Sequence, residues 1–335
     1  MIKGQGLGQL RWIRHIIGGG VTILCLFVFI RQVNLDKVLV ALTNFHWRYL
    51  FLGVTSLALG YALRILRWSM MLRATGARAT FRNCSAPFLG SIALNNVLPL
   101  RLGDVVRALV FPKSMGITKT TAACSLIVER LIDLMTLLAT MAIGLFAIQS
   151  IAIPPQLTAS AVTLASIGGV ALAVGFLFSG PMGNFFKQLP SKTGRPRVLS
   201  RIYEALGDGL HGFNVMSRPK VLIGMLLVSM LVWVGEAGLF YFVLLGTGVE
   251  GTAIIALLVM SVATLSTLVP SSPGYVGPFH LAAFTAISLV GGTATQAGSY
   301  AVIVHLALWL PTTLAGAIAI WIRPSLFKAA KSQVA

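Results

Sequence analysis

Six ionisable residues in two short motifs stand within otherwise apolar sequence and are the first candidates for chemistry. The motif NNVLPLRLGDVVR spans residues 95–107, and the motif ERLID spans residues 129–133. Guanidinium groups bind phosphate and carboxylate oxygens in a bidentate manner, so an arginine without an acidic neighbour can hold an anion. Asn95 and Asn96 add neutral hydrogen-bonding groups. The ionisable members are Arg101, Asp104, Arg107, Glu129, Arg130 and Asp133.

The spacing of these charges allows them to pair with one another. Asp104 and Arg107 are three residues apart, as are Arg130 and Asp133, so each pair shares one face of a helix. Glu129 shares the face of Asp133, four residues further on. One interpretation is a buried ionic lock between the two motifs. A second interpretation adds an arginine left over to bind a phosphate, and the two are compatible because a lock between mobile elements can also be a gate.

Three more ionisable residues lie in apolar segments further along the chain. Glu236 has no local basic partner, so it is either protonated or paired across helices. His280 follows the turn-forming string PSSPGYVGP, where a proton-sensing or phosphate-sensing role is one alternative to a structural histidine. His305 lies in an apolar helical segment and is interpreted as a core residue. The turn string contributes Pro270, Pro273, Gly274 and Gly277.

The sequence contains no metal-binding or catalytic motif of a known kind. Cys25, Cys84 and Cys124 have no metal-ligand spacing, and HExxH, GxSxG and Walker motifs are absent. Asp104 and Asp133 could supply the two aspartates of an intramembrane protease, but neighbouring arginines would hold both ionised. We therefore expect no catalytic residue, no metal and no cofactor, and an intramembrane enzyme is the weakest alternative.

Composition places these motifs in a membrane. Of the 335 residues, 56% are hydrophobic and 10% are charged, whereas soluble domains carry about a quarter charged residues. Residues 134–186 and 251–322 contain no Asp, Glu, Lys or Arg, and such runs are typical of transmembrane helices. The formal net charge of +18 does not indicate nucleic acid as a partner, because that needs a water-exposed basic face.

The apolar segments predict about six full transmembrane helices and two re-entrant hairpins. Residues 84–112 and 252–291 are interrupted by proline and glycine, and their returning arms are too short to cross. We predict that the first hairpin enters from the cytoplasm and the second from the external face, because non-helical backbone at this depth must face protein or water. The crossings are assigned to residues 16–30, 49–63, 120–149, 157–178, 221–245 and 299–322.

The order of these segments predicts an inverted repeat within a single membrane domain, residues 1–335. Residues 10–149 form the first repeat, and residues 157–322 repeat its order upside down. Pro99 and Gly103 share a four-residue spacing with Pro270 and Gly274. Broken hairpins at matching positions of an inverted repeat are typical of transporters with a site between the repeats. The predicted fold is therefore an all-α polytopic membrane protein with two opposed hairpins.

The distribution of basic residues predicts the orientation of the chain. Residues 179–220 form a basic loop that lies on the same side as both termini, and Arg64 and Arg67 are placed at the headgroup level. By the positive-inside rule that side is the cytoplasm. We expect a multi-pass protein of a bacterial-type cytoplasmic membrane with cytoplasmic N- and C-termini. Of the 26 Lys and Arg residues, the exceptions to this side are Arg31, Lys37, Arg48 and the membrane-embedded Arg130.

The motifs resemble those of a known family. NNVLPLRLGDVVR, ERLID and PSSPGYVG, in this order, resemble the flippase-like transmembrane domain of the bacterial lysylphosphatidylglycerol synthase/flippase family, over residues 10–325. The resemblance implies a stand-alone member without the soluble synthase domain, and the chain departs from the pattern at His280, where many members have an acid. Signature positions by this resemblance are Asn95, Pro99, Arg101, Gly103, Asp104, Arg107, Glu129, Arg130, Asp133, Pro270, Pro273, Gly274 and Gly277.

Residues and resemblance together predict a lipid translocase that binds an anionic lipid headgroup between the hairpins. The lipid is a phospholipid, an aminoacyl-phospholipid or an isoprenoid or hopanoid lipid; lipid-biosynthetic membrane enzymes and a second copy are further candidate partners. The alternative is a non-transporting membrane adaptor in lipid or cell-envelope biosynthesis. The candidate lipid-binding or gating residues are Asn95, Asn96, Pro99, Arg101, Asp104, Arg107, Glu129, Arg130, Asp133, Glu236, Pro270, Pro273, Gly274, Gly277 and His280.

Overall fold

The chain folds into helices throughout the part described by the computed structural model. That part comprises residues 5–98, 101–112, 116–148, 155–188, 197–249, 251–324 and 326–327, and it contains no β-strand. The all-α prediction is therefore confirmed. The helices are α1 (Gln5–Gln32), α2 (Leu35–Thr43), α3 (Trp47–Ala74), α4 (Phe81–Val97), α5 (Leu102–Leu109), α6 (Lys119–Ala147), α7 (Pro155–Gln188), α8 (Arg197–Met216), α9 (Pro219–Gly246), α10 (Ala253–Ser266), α11 (Pro278–Leu289) and α12 (Ala294–Ile322).

Within the described residues, four helices are long and apolar enough to cross a membrane. They are α3, the Ser166–Phe186 part of α7, α9 and α12. A helix of 28 residues such as α3 is about 42 Å long, which exceeds the roughly 30 Å hydrocarbon core of a bilayer. All four belong to the six predicted crossings, and the other two lie in α1 and α6, with 28 and 29 residues. The chain is a multi-pass membrane protein.

Threonine side chains fix where the hairpins and the helices after them begin. Thr80 caps α4 and Thr252 caps α10, each hydroxyl accepting a hydrogen bond from the backbone N–H three residues on. Thr118 and Thr293 cap α6 and α12 in the same way. The caps therefore occur at corresponding places in the two halves of the chain.

The packing of the helices also corresponds between the halves. The two third helices, α3 and α9, form the central pair, and a Cβ atom added to Gly235 would overlap Gly60 on the facing helix. The first hairpin arm α4 packs on α12, and its counterpart α10 packs on α6. The short helix α2 contacts α12, and α8 contacts α6. In each half, the first hairpin arm therefore packs on the helix that follows the hairpin of the other half, as two related halves would produce. The inverted orientation of the halves stays a prediction.

Most of the predicted basic loop at residues 179–220 is helical instead. Helix α7 continues to Gln188, and α8 begins at Arg197. Helix α8 packs against α6 and α7, with the Phe213 ring centroid 4.9 Å from that of Phe176 and Met216 fully buried. Apolar residues at helical spacing bury one face of α8, and this periodicity outweighs the charge that suggested a loop.

Candidate functional site

A cavity of about 340 Å³ lies where the two helical hairpins meet α3, α6, α9 and α12. Its wall combines apolar and aromatic side chains with many polar and charged groups. Tyr61, Trp233 and Trp309 contribute aromatic surface. The predicted site residues that line the cavity are Asn95, Asn96, Arg101, Glu129, Arg130, Asp133, Glu236 and Gly274.

The tips of the two hairpins touch each other at this cavity. The guanidinium carbon of Arg101 lies 5.6 Å from the ring centroid of Tyr275, and Arg101 Nη2 donates hydrogen bonds to the carbonyl and hydroxyl oxygens of Thr267 at 3.3 and 3.2 Å. Among the described residues, only Arg101 and Tyr275 combine a positive φ, 53° and 58°, with a side chain. Such backbone costs about 1–3 kcal/mol and is concentrated at functional sites.

These two strained residues define how the hairpins correspond. Arg101 follows Pro99 by two residues, and Tyr275 follows Pro273 by two residues. This register pairs Gly103 with Gly277, whereas the spacing of four had suggested Pro270 and Gly274 as the partners of Pro99 and Gly103. The second motif contains this four-residue spacing twice, in Pro270–Gly274 and in Pro273–Gly277. The positive φ angles of Arg101 and Tyr275 favour the second alignment. Pro99 itself lies outside the described residues.

The first hairpin is joined to α6 by two ion pairs between elements. Arg130 Nη2 donates to the carboxylate of Asp104 at 2.8 and 3.0 Å, and Arg107 Nη2 donates to Glu129 Oε1 at 2.9 Å. The Asp104 carboxylate accepts a further hydrogen bond from Asn95 Nδ2, at 2.9 Å from Asp104 Oδ1. The predicted pairing of Asp104 with Arg107 is wrong, since both face α6 and meet opposite charges there.

Two arginines that the sequence analysis did not include among the site residues bind the remaining carboxylates. Both Nη atoms of Arg67 donate to the Asp133 carboxylate, at 2.7 and 3.0 Å, and Arg64 donates to Glu236. The prediction of Arg64 and Arg67 at the headgroup level is wrong, as is the pairing of Arg130 with Asp133. Arg67 is fully buried inside the bundle. Glu236, which lacked a local basic partner, was the available signal for an arginine on another helix.

One positive charge is left over in this network. Five arginines face four carboxylates, and Arg101 is the arginine that forms no ion pair with a described acidic residue. Trp233 Nε1, Thr264 Oγ1 and Glu129 Oε2 are buried without a hydrogen-bond partner among the described residues, although all three residues line the cavity. The residues that line the cavity therefore include one guanidinium without a described acidic partner, and two donors and one acceptor without a hydrogen-bond partner among the described residues.

Asn96 and the two histidines connect the hairpins to α12. Asn96 Nδ2 donates to the hydroxyls of Thr312 and Thr313 at 3.1 and 2.9 Å. His305 lies with Nε2 2.7 Å from the Gly274 carbonyl oxygen and lines the cavity, although its sequence context suggested only a core position. His280 does not line the cavity; its ring is buried 4.5 Å from that of His305, measured between centroids.

The turn residues of the second hairpin occupy different environments. Gly274 and Gly277 are buried, whereas Pro270 and Pro273 are exposed. Gly274 has φ of 75° and Gly277 has φ of 97°, a region that favours glycine because it lacks a Cβ atom. These glycines shape the tip, and of the four only Gly274 lines the cavity.

Comparison with known proteins identifies the family. The model of the lysylphosphatidylglycerol synthase TM region matches residues 15–316. The chain belongs to this family. The family resemblance of the three motifs is thereby confirmed, and membership associates the chain with membrane lipid metabolism.

A curated relative shares a shorter stretch of sequence. The UPF0104 membrane protein MJ1595 of Methanocaldococcus jannaschii is 26% identical over 115 residues, which is 34% of each chain. The match thus spans about a third of that relative's length. No solved structure matches the chain significantly.

Proposed function

We propose that this family member binds the anionic headgroup of a membrane lipid in the cavity between its hairpins and moves that headgroup across the bilayer. The observation that carries the proposal is Arg101, a guanidinium on the cavity wall whose described partners are one threonine and one aromatic ring. A cation held by neutral groups retains most of its capacity to bind an anion.

The charge of the site favours a phosphodiester as the group that is bound. The surplus of one arginine over the carboxylates of the network is neutralised by a single negative charge. Arginine matches phosphate oxygens with two parallel N–H donors. Trp233 and Thr264 also line the cavity, and Trp233 Nε1 and the Thr264 hydroxyl have no hydrogen-bond partner among the described residues. The acyl chains would remain in the bilayer while the headgroup occupies the cavity.

The lengths of the hairpin arms support a site at membrane depth. Helix α5 has 8 residues and α11 has 12 residues, or about 12 and 18 Å, and neither length spans a core of about 30 Å. We therefore propose that α4–α5 and α10–α11 are re-entrant hairpins that enter from opposite faces. In that arrangement their contact at Arg101 and Tyr275 would close the path between the two sides.

Binding and movement would be linked through the same arginine. A phosphate that recruits Arg101 competes with Thr267 and with the ring of Tyr275 for the guanidinium, so the ligand weakens the contact between the hairpin tips. A ligand shifts a conformational equilibrium only through a difference in affinity for the two states. Here that difference would come from the arginine, which serves either the tip contact or the lipid.

Replacing Arg101 with glutamine should reduce lipid movement by about tenfold or more. The change removes a charge-assisted hydrogen bond worth about 1.5–3 kcal/mol, and each 1.4 kcal/mol corresponds to a factor of ten. The measurement is the rate at which fluorescent phosphatidylglycerol becomes accessible to dithionite in vesicles that contain the purified protein.

Arg48 provides the matched control for this substitution. Its guanidinium carbon lies 4.9 Å from the ring centroid of Tyr49, so it has the same kind of aromatic partner, but it is exposed and does not line the cavity. Arg48→Gln should leave the rate unchanged. Equal rates for Arg101→Gln and the wild type would contradict the assignment, and bound lipid without any movement by the wild type would favour the adaptor.

A further inference from the structure

We propose a second, lateral lipid site in which an anionic phospholipid lies in an apolar groove between α4 and α12. The groove has a volume of about 350 Å³. Leu89 and Ala86 line it from α4, and Ala315 and Ile318 line it from α12. Two arginines border it, Arg82 in the first turn of α4 and Arg323 at the end of α12.

Small residues create the groove beside a point of tight helix packing. A Cβ atom added to Gly316 would overlap the carbonyl oxygen of Leu89, so the two helices are in direct contact there. Towards Arg323 the facing residues of α12 include Ala315 and Ala319, which are four residues apart and share one face of the helix. Their short side chains leave space between the two helices.

The charge at the end of the groove indicates what occupies it. Neither Arg82 nor Arg323 forms an ion pair with a described acidic residue, and none of the described residues that line the groove is acidic. An apolar channel with two guanidinium groups at one end complements an acyl chain with a phosphate at one end. A second copy of this chain would instead bring further positive charge to the same place.

The orientation predicted from the basic residues fits this occupant. Arg82 and Arg323 were both assigned to the cytoplasmic side, and the structure places them at the same groove. The cytoplasmic leaflet is the one enriched in anionic lipids, and basic residues near its surface attract their headgroups. The occupant is therefore an anionic glycerophospholipid of that leaflet.

The groove lies one helical turn from the cavity but is a separate site. On α4 the groove is lined by Leu89 and the cavity by Ile92; on α12 the groove is lined by Ala315 and the cavity by Thr312. The lateral site does not depend on the proposed transport, because its lining shares no residue with the cavity.

Native mass spectrometry of the purified protein tests the site with phosphatidylglycerol and phosphatidylcholine of identical chains. The double variant Arg82→Gln/Arg323→Gln should bind one fewer phosphatidylglycerol molecule at low lipid concentration, with at least tenfold weaker binding of that molecule. Arg78→Gln is the control, because Arg78 is exposed near the start of α4 and does not line the groove. Binding by the double variant equal to that of Arg78→Gln would overturn the proposal.

Two further measurements separate this site from the cavity and from other occupants. Arg101→Gln should still bind the lateral lipid, so a failure of the proposed function leaves this prediction intact. A photo-reactive benzoylphenylalanine in place of Ile318, which is 55% exposed, should cross-link to phospholipid in native membranes. Cross-linking mainly to a second copy or to another protein would overturn the proposal.

Discussion

Replacing Asp133 with asparagine should lower the free energy of unfolding by about 3–5 kcal/mol. Its carboxylate accepts hydrogen bonds from both Nη atoms of Arg67 and lies 3.6 Å from Arg64 Nη1. Arg67 is fully buried, and removing one partner of a buried pair leaves an uncompensated charge. The measurement is the thermal and denaturant unfolding of the purified protein in detergent, followed by the fluorescence of a buried tryptophan.

Asp36 is the control for this large effect. It is exposed in the first turn of α2 and forms no described ion pair, so Asp36→Asn should change stability by well under 1 kcal/mol, the range of a surface charge near a helix N-terminus. If Asp133→Asn unfolds like Asp36→Asn, the ionic network between α3 and α6 does not hold the bundle together.

Replacing Gly103 with alanine should slow lipid movement at least tenfold and destabilise the protein by about 1–3 kcal/mol, the usual cost of overpacking. A Cβ atom there would overlap the Ser91 carbonyl oxygen and lie 2.7 Å from Asn95 Oδ1. The backbone oxygen cannot move aside as a flexible side chain would, so α5 must shift away from α4. Asn95 would then lose its hydrogen bonds with Asp104. The dithionite assay and the unfolding measurement report the two effects.

Gly19 is the matched control on another helix. Nothing lies within 4 Å of a Cβ atom added there, so Gly19→Ala should retain full lipid movement and should gain rather than lose helix stability. A Gly103→Ala variant with wild-type movement and stability would show that the close approach of α4 and α5 does not position the tip.

Much of the fold was predictable because the length of an apolar run and the residues that form a turn are local properties of the sequence. Charge-free runs identified the crossings, and the proline- and glycine-rich strings marked both hairpin turns. The threonines that cap α4, α6, α10 and α12 precede the apolar runs in the sequence. The amphipathic helix α8 was predicted as a loop because its segment has a high density of charge. Its apolar residues nevertheless recur at helical spacing.

The partners of the buried charges were not predictable from spacing. Residues three or four apart are neighbours on a helix, but Asp104 and Arg107 both face α6, and only the packing of α5 shows this. Arg64 and Arg67 stand at the end of an apolar run, where a headgroup position is the usual interpretation. Their inward direction depends on α3 packing against α6 and α9, which is a property of the assembled bundle.

The central claim is that an anionic headgroup binds at Arg101 between the hairpin tips. The most direct test is a cryo-electron microscopy structure of the chain in nanodiscs that contain phosphatidylglycerol. We predict density for a phosphate whose oxygens lie about 2.8 Å from the Arg101 guanidinium nitrogens, the distance of a charge-assisted hydrogen bond. We also predict that the contact of Arg101 with Thr267 is lost. Lipid density confined to the outer surface, with Arg101 still bonded to Thr267, would contradict the account.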